Sequence, residues 1–328
     1  MIIGLTYDLR SDYLKEGYSK EETAEFDKEE TIDGIENALN KLGFETKRIG
    51  NARRLMQALL AGEKWNLVFN ICEGMYGDSR ESLVPALLDA FKIPYVFSGA
   101  VTLGISLNKA FTKRVIRDAG ISTPDFMVVG EPSDTDLCTL PYPLFAKPVA
   151  EGTGKGIESK SVIKNPEELK TVCTSLLERF HQPVLVEEFL PGREFTIGIT
   201  GNAEDAKVIG GMEIIYKPDT ENIYSYFNKE NYKDLITYVP LQGKILEDCA
   251  DVSLKSWKAL NANDGGRVDL RIDKNGIINF LEINPLAGLN PVHSDLLILA
   301  GFNGMSYTQL IGEIMNAALK RINGKNAK

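Results

Sequence analysis

Histidine is scarce in this 328-residue sequence, which contains only His181 and His293. A Ser-His-Asp triad or a histidine-based metal centre would have to draw on these two residues. His181 stands in the segment RFHQP, which is typical of the loop at the end of a helix. We therefore expect lysines, carboxylates and backbone amides to carry any chemistry.

Cysteine and long apolar runs are scarce as well. The four cysteines form neither a CxxC pair nor a zinc-like spacing, a pattern typical of reduced thiols in a cytoplasmic protein: Cys72, Cys138, Cys173 and Cys249. No apolar run approaches membrane-spanning length, and MIIGLTYDLR lacks the basic and apolar stretches of a signal peptide. We expect a cytoplasmic protein without a membrane partner.

Positive charge is in deficit. The net charge is −9, from 37 Lys and Arg against 46 Asp and Glu, and this argues against nucleic acid as a partner. A charged cofactor can still bind where lysines are concentrated. The composition, 43% hydrophobic and 25% charged, is that of a globular protein, and the length favours two or three packed units.

Three units are predicted along the chain. Residues 1–100 alternate strands (MIIGLTYDL, WNLVFNI and IPYVFSG) with helices (DKEETIDGIENALNKLGF and SLVPALLDAF), which predicts a parallel α/β sheet. The charged segment that leads to Asp27 is predicted to be a mobile loop. Residues 101–185 and 186–328 mix helices with strands in an α+β pattern, and there is no internal repeat.

The segment GRVDLRIDKNGIINFLEINP predicts a β-hairpin. With Asn275-Gly276 as a two-residue type I′ turn, Asp273 pairs with Ile278. Further from the turn, Asp269 pairs with Glu282 and Arg267 pairs with Asn284. Opposed carboxylates repel each other, so a cation is expected between them. Oxygen ligands without histidine or thiolate favour Mg²⁺ bridged to phosphates. The alternative is a solvated hairpin face with incidental charges.

Two further segments carry features of a nucleotide site. In PLFAKPVAEGTGKGIES, Lys147 ends a strand and a glycine-rich loop follows, whose amides can approach phosphate oxygens closely. In VLVEEFLPGREF, an apolar strand runs into several carboxylates, as expected where backbone groups bind adenine and a carboxylate binds ribose. Each segment alone is also compatible with an ordinary surface hairpin or strand end.

Taken in order, the three segments resemble the ATP-grasp fold and, within it, the D-alanine–D-alanine ligases. The resemblance implies an N-terminal parallel α/β (pre-ATP-grasp) domain at 1–100, a central ATP-grasp subdomain with the glycine-rich lid at 101–185, and a C-terminal subdomain at 186–328. It also implies ATP, two Mg²⁺ ions, small amino-acid substrates and a role in cell wall biogenesis. A homodimer through the first unit is usual for the family.

The resemblance assigns roles by position. The ATP-binding residues are Lys109, Lys147, Glu151, Gly152, Gly154, Gly156, Glu187, Glu188, Phe189, Leu190 and Glu194. The metal ligands are Asp269, Glu282 and Asn284, and the catalytic residues are Arg267, Gly288, Thr153 and Lys229. The implied reaction activates one carboxylate as an acyl phosphate, which the amine of a second amino acid then attacks.

The sequence departs from the family pattern on the amino-acid side. Glu73 replaces a histidine, Glu230 replaces a lid tyrosine, and Arg80-Glu81 adds charge, while Ser294 stands in an altered carboxylate-binding segment. We interpret Glu73, Arg80, Glu230 and Ser294 as substrate candidates, although Arg80 paired with Glu81 or Glu73 would instead be structural. Two other readings stay open: another ATP-grasp ligase with a bulkier or more polar substrate, and a non-catalytic ATP-binding module.

Overall fold

The computed structural model describes residues 1–216 and 236–326. Its strands are β1 (Ile2–Tyr7), β2 (Glu45–Gly50), β3 (Leu67–Ile71), β4 (Phe126–Val129), β5 (Leu144–Pro148), β6 (Val162–Ile163), β7 (Val184–Glu188), β8 (Glu194–Thr200), β9 (Lys207–Tyr216), β10 (Ile236–Pro240), β11 (Gly265–Ile272) and β12 (Ile278–Asn284). Its helices are α1 (Arg10–Lys15), α2 (Glu29–Lys41), α3 (Ala52–Leu60), α4 (Leu83–Ala90), α5 (Ala100–Leu107), α6 (Lys109–Asp118), α7 (Pro166–Phe180), α8 (Gly243–Ala259), α9 (Asp295–Phe302) and α10 (Tyr307–Asn326).

The strands form three sheets. The first is parallel, in the order β2-β1-β3, and the other two are antiparallel, in the orders β4-β7-β5-β6 and β10-β9-β8-β11-β12. The predicted combination of a parallel α/β sheet with α+β parts is confirmed. No helix within the described ranges combines the length and apolar character that a membrane span needs.

Helix α2 shows how the apolar pattern sets the first core. Its inner face presents Ile32, Ile35, Ala38 and Leu39, all buried at helical spacing against the first sheet, and the chain turns away at Gly43 with a φ of 87°. Helix α7 begins at Pro166, where the side chain of the preceding Asn165 accepts a hydrogen bond from the amide of Glu168.

Two predictions for the first unit were wrong. IPYVFSG is not a strand, since it forms only an isolated parallel bridge between Val68 and Tyr95. Pro94 lacks an amide donor, and Phe97 has a φ of 76°, so the extended backbone cannot continue. The segment before Asp27 is not a free loop either: it contains α1 and is fastened by Arg10 N–H donating to Asp27 O at 2.8 Å.

For the hairpin of β11 and β12, the predicted turn was wrong, but the predicted pairing of Asp269 with Glu282 was correct. Its turn has three residues rather than two, because the amide of Asp273 donates to Ile277 O and only Gly276 has positive φ, so the pairing of Asp273 with Ile278 was wrong. A one-residue shift between Asp269 and Leu270 then restores the register. Consequently Asp269 pairs with Glu282 as predicted, and the two strands place their polar ends together.

Candidate active site

The polar face of the β11–β12 hairpin brings four predicted residues together. Arg267 donates from Nη1 to both oxygens of Asp269, at 2.7 and 2.6 Å, and Asn284 Nδ2 donates to Asp269 Oδ2 at 3.3 Å. Glu282 lies directly opposite Asp269, and its Oε2 is 3.8 Å from Lys109 Nζ. On the opposite face Val268 and Leu270 are buried in the core, which fixes the direction of the polar side chains.

The oxygen atoms on this face are ligands that suit a hard metal cation. Asp269, Glu282 and Asn284 offer carboxylate and amide oxygens, the ligands that Mg²⁺ prefers. Within residues 1–216 and 236–326 no group of three or more His, Cys, Asp or Glu side chains is arranged to hold a metal. The protein therefore supplies two carboxylates and an amide here, and further ligands would have to come from phosphates and water, as is usual for Mg²⁺.

Two buried lysines face the same region from different elements. Lys109, at the start of α6, donates to the carbonyl oxygen of Glu151 at 2.5 Å, and Lys147, at the end of β5, lies 2.7 Å from Glu187 Oε1. Burial lowers the pKa of Lys109, although Glu282 opposes that shift. Burial also acts to lower the pKa of Lys147, but Glu187 and Glu282 outweigh it and raise that pKa. Lys147 thus stays a cation across the whole physiological range.

The glycine-rich loop at 151–156 contacts the N-terminal part of the chain. The amide of Gly152 donates to Glu25 Oε1 at 2.5 Å, and Lys155 pairs with Glu25 at 3.2 Å and with Glu151. Thr153 adopts a φ of 55°, a left-handed conformation that is strained for a residue with a side chain. The loop therefore keeps this shape because contacts from Glu25 and Lys155 hold it.

Gly156 illustrates why this loop needs glycine. It has a φ of 74°, and a Cβ there would lie 2.7 Å from Pro148 and 2.8 Å from Phe180. Both the backbone conformation and the close approach exclude a side chain. Gly154 also has a φ of 74°, so its backbone conformation by itself favours glycine.

Two adjoining cavities meet at the residues just described. The smaller, about 90 Å³, is lined by Lys147, Lys155, Asp269 and the hinge segment 187–190 with Glu194. The larger, about 270 Å³, is lined by Arg267, Asn284, Gly288 and Ser294 on one side and by Glu73 and Glu81 on the other. Lys109, Glu151, Gly152, Thr153 and Glu282 line both. A phosphate group at this shared wall would face both cavities.

The hinge segment, residues 187–190 at the end of β7, is already hydrogen-bonded within the protein through two of its amides. The amide of Glu188 donates to Asp125 O at 3.0 Å and that of Phe189 to Pro143 O at 3.1 Å. These two amides are therefore not the donors for a bound base, and the predicted base contacts fall to the carbonyl groups and to Leu190. Glu194, predicted to bind ribose, accepts from Tyr216 at 2.8 Å and pairs with Arg271 at 3.0 Å.

The four substrate candidates have different surroundings. Glu73 and Ser294 line the larger cavity, and Ser294 Oγ accepts from the amide of Asn290 at 2.6 Å. Arg80 pairs with Glu25 at 2.9 Å and donates to Ala150 O at 2.8 Å, so it binds the glycine-rich loop rather than Glu73 or Glu81. Glu230, like the catalytic candidate Lys229, lies outside the described residues.

Three residues of the site were not predicted from the sequence. Glu25 joins the glycine-rich loop to the N-terminal segment, Lys155 joins two carboxylates, and Lys113 pairs with Glu187 behind Lys147. Lys113 follows Lys109 by one helical turn on α6, and this spacing was a usable signal. The contacts of Glu25 span 55 to 130 residues of sequence, and no local pattern indicates them.

Comparison with known proteins places the chain in a family. Residues 115–316 match the family model described as D-ala D-ala ligase C-terminus. A D-alanine–D-alanine ligase of Aquifex aeolicus (strain VF5) is 33% identical over 285 residues, which cover 86% of this chain and 92% of that protein. The chain belongs to the D-alanine–D-alanine ligase family.

Solved structures agree with this family assignment. A crystal structure of D-alanine–D-alanine ligase from Bacillus anthracis complexed with ATP aligns with a TM-score of 0.73 at 22% identity over 99% of both chains. The VanG D-Ala:D-Ser ligase from Enterococcus faecalis aligns with a TM-score of 0.73 at 18% identity, over 97% of this chain and 99% of that one. These likenesses show the shared fold, and the predicted ATP-grasp architecture is confirmed.

Proposed function

We propose that this member of the D-alanine–D-alanine ligase family is an ATP-dependent ligase that joins two amino acids through a C–N bond. The arrangement of Asp269, Glu282 and Asn284 beside Lys109, on the wall between two cavities, carries the proposal. One cavity has the features of a nucleotide site and the other has those of an amino-acid site. Their common wall is where a phosphoryl group would pass from one to the other.

The residues suggest a division of labour during the reaction. Lys109 and Lys147 would bind the nucleotide phosphates, and positioning with charge neutralisation accounts for most of the catalysis of phosphoryl transfer. Mg²⁺ bound to Asp269, Glu282 and Asn284 would neutralise further phosphate charge. The acceptor carboxylate would lie in the larger cavity, near Arg267.

Acyl transfer needs a positive group at the carbonyl oxygen of the activated substrate. Arg267 and the amide of Gly288 line the larger cavity and would stabilise the negative charge that develops there. Loss of one such donor typically costs about 3 to 4 kcal/mol of transition-state stabilisation. Asp269 pairs with Arg267 Nη1, and Asp295 lies 3.6 Å from the same nitrogen. These two carboxylates would orient the guanidinium for this role.

Water must be kept from the acyl phosphate, because hydrolysis would waste the nucleotide. Residues 151–153 of the glycine-rich loop line both cavities, and Gly152 and Lys155 of the loop bind Glu25, which also pairs with Arg80. Thr153 would contribute its hydroxyl there. Lys229, as a catalytic residue, and Glu230, in the place of a lid tyrosine, remain predictions from the sequence.

D-alanine is the substrate named by the relatives, and a second candidate is a bulkier or more polar amino acid. Within the described residues, the carboxyl groups of Glu73 and Glu81 make no side-chain hydrogen bond and no ion pair, and both residues line the larger cavity. Burial, followed by the charges of Glu81 and Glu25, raises the pKa of Glu73 well above its ordinary value. A methyl side chain gives these carboxylates nothing to bind, whereas a polar substrate does.

The test is a product assay. The protein would be incubated with ATP and Mg²⁺, first with D-alanine alone and then with mixed D- and L-amino acids, and the products identified by mass spectrometry. Amino-acid-dependent ADP release together with a dipeptide supports the ligase. Efficient formation of D-alanyl-D-alanine would exclude the polar-substrate candidate.

The proposal includes a cytoplasmic location and a homodimer through the first unit. Four cysteines without disulfides among the described residues support the first. Light scattering of the purified protein would test the second, with a mass near twice 36.3 kDa expected.

A further inference from the structure

Lys113 is the most deeply buried charged group next to the nucleotide site. Its residue exposure is 0%, and its Nζ lies 2.8 Å from Glu187 Oε2 and donates to Thr123 Oγ1 at 2.7 Å. A fully buried lysine is rare in proteins because the loss of hydration costs several kcal/mol per ion. Such a residue is expected to have a function that compensates for this cost.

Glu187 lies between two lysines. Its Oε1 is 2.7 Å from Lys147 and its Oε2 is 2.8 Å from Lys113, while the residue itself is 3% exposed. The three groups together carry a charge of +1 when both lysines are protonated. If Glu187 had only Lys147 as a partner, that pair would be neutral and would present little positive potential to the cavity.

Lys113 acts from behind the site. The smaller cavity is lined by Lys147 and Glu187 but not by Lys113, which reaches the second oxygen of Glu187 from α6. Lys113 thus cannot touch a nucleotide in that cavity. Any effect on binding has to pass through Glu187 and Lys147.

The chain of polar contacts continues to the metal hairpin. Thr123 accepts from Lys113 and donates to Phe280 O at 2.9 Å, and the amide of Phe280 donates to Ser122 O at 2.8 Å. Phe280 lies on β12, two residues before Glu282. The contacts from Lys147 through Glu187, Lys113 and Thr123 therefore connect the sheet that carries the phosphate lysine with the strand that carries Glu282.

We propose that Lys113 is a positioning residue of the nucleotide site, which holds and neutralises Glu187 so that the charge of Lys147 is directed at the nucleotide phosphates. The inference rests on the proposed function for the identity of the ligand. Lys113 lies outside both cavities, and its removal is expected to weaken ATP binding. Amino-acid binding is not expected to change.

The charges around Lys113 support this role. The groups that act on it are Glu187 on β7, Lys147 on β5 and Glu282 on β12. Burial, partly offset by Glu187, lowers the pKa of Lys113 to about 8. As the pH rises through this value the ammonium loses its proton, and Glu187 is then left to Lys147 alone. ATP affinity is therefore expected to fall as the pH rises through about 8.

The experiment measures the Kd for ATP in the presence of MgCl2 by calorimetry, without amino acids. At pH 7 the substitution Lys113→Met should weaken ATP binding about tenfold, the size expected for the loss of one nearby charge in a partly screened site. Lys258→Met is the control, because Lys258 on α8 forms only a surface ion pair, with Glu204 of a neighbouring turn. The KM for amino acids should not change in either variant.

The double substitution Lys113→Met with Glu187→Gln separates positioning from a merely structural role. Because Lys113 is expected to act through Glu187, adding Lys113→Met to Glu187→Gln should change ATP affinity by less than about threefold relative to Glu187→Gln alone. In the double variant Glu187 is no longer a buried charge that has lost Lys113, so the comparison with Glu187→Gln remains informative if Lys113→Met alone does not fold. The ATP affinity of the double variant should no longer fall as the pH rises through 8.

The outcomes separate the two claims. If the native protein binds no ATP, the proposed function fails, and the inference fails with it. If the native protein binds ATP but Lys113→Met weakens ATP binding as much in the Glu187→Gln background as in the native protein, or if the double variant loses its affinity at the same pH as the native protein, the positioning role is wrong. Loss of the effect of Lys113→Met in that background, together with a flat pH profile, supports the positioning role, whatever the amino-acid substrates are.

Discussion

Asp269 and Glu282 face each other on adjacent antiparallel strands, each with a cationic side chain beside it. Arg267 binds Asp269 at 2.6 Å, and Lys109 lies 3.8 Å from Glu282. Two opposed carboxylates weaken a hairpin unless positive charge compensates for them. The protein thus keeps two opposed carboxylates, compensated by Arg267 and Lys109, at the wall between its two cavities, where the proposed divalent cation would bind them.

Replacing Glu282 by glutamine should abolish catalysis without harming the fold. The amide has the same shape but binds Mg²⁺ weakly, so ADP release should fall by about a hundredfold or more. The melting temperature should stay equal or rise, because one of two opposed charges is gone. Glu213→Gln, on β9 of the same sheet, is the matched control and should keep its activity. Native turnover in Glu282→Gln would remove this residue from the metal site.

Replacing Lys147 by alanine should weaken nucleotide binding more than turnover. The ammonium meets phosphates in the ground state, so the KM for ATP should rise at least about tenfold while kcat at saturating ATP changes less. Steady-state kinetics with varied ATP measures both constants. Lys244→Ala serves as the control, since Lys244 pairs with Asp248 on an exposed face of α8. An unchanged KM for ATP would contradict the assignment.

The sequence predicted the chemistry of the hairpin but not the path of its backbone. The alternation of Arg267 and Asp269 with Val268 and Leu270 specified which side chains share a face. The three-residue turn and the shift after Asp269 cancel each other, so the pairing with Glu282 was correct although its assumed turn was wrong. Side-chain periodicity is a local property, whereas a bulge depends on the packing of the whole sheet.

The N-terminal part of the site shows where local reasoning ends. Glu25 lies in a segment that looked like a mobile charged loop, yet it is buried between Arg80, Lys155 and the amide of Gly152. Its partners come from two other parts of the chain, and an isolated charged segment gives no indication of them. The apolar segment IPYVFSG likewise predicted a strand, but the backbone conformation at Phe97 ends the extended stretch.

Arg80→Ala distinguishes a structural from a substrate role for this arginine. Arg80 and Glu25 are about nine-tenths buried, so losing the pair should lower the free energy of unfolding by about 2 kcal/mol. Substrate specificity should not change. Arg179→Ala is the control, because Arg179 joins Glu21 of the same segment through an exposed pair that should contribute less than about 1 kcal/mol. Unaltered stability with a raised KM for an amino acid would instead place Arg80 in the substrate site.

The pH dependence of stability tests the environment of Glu81. Burial raises the pKa of this carboxyl to about 7 in the folded protein, from an ordinary 4.5. Between these values the folded state binds more protons than the unfolded state, so stability falls as the pH rises and stays reduced above 7. Glu81→Gln should therefore be more stable than the native protein at pH 8, by at most about 3 kcal/mol, and equal to it at pH 4.

Urea unfolding at the two pH values measures this difference. Glu178→Gln, at an exposed position on α7, is the matched control for the change from a carboxyl to an amide group. If Glu81→Gln gives the same stability difference at pH 4 and pH 8, the carboxyl is not in the environment described here. Its proposed contribution to a polar substrate pocket would then be lost as well.

The most direct test of the account is the amino-acid dependence of ADP release. Purified protein would be given ATP and Mg²⁺ with a panel of D- and L-amino acids, singly and in pairs, and ADP and product would be quantified together. We predict that one or more pairs release ADP in equal amounts with a peptide, and that Glu282→Gln releases neither. Tight ATP binding without amino-acid-dependent ADP release by any pair would contradict the account and indicate a non-catalytic ATP-binding module.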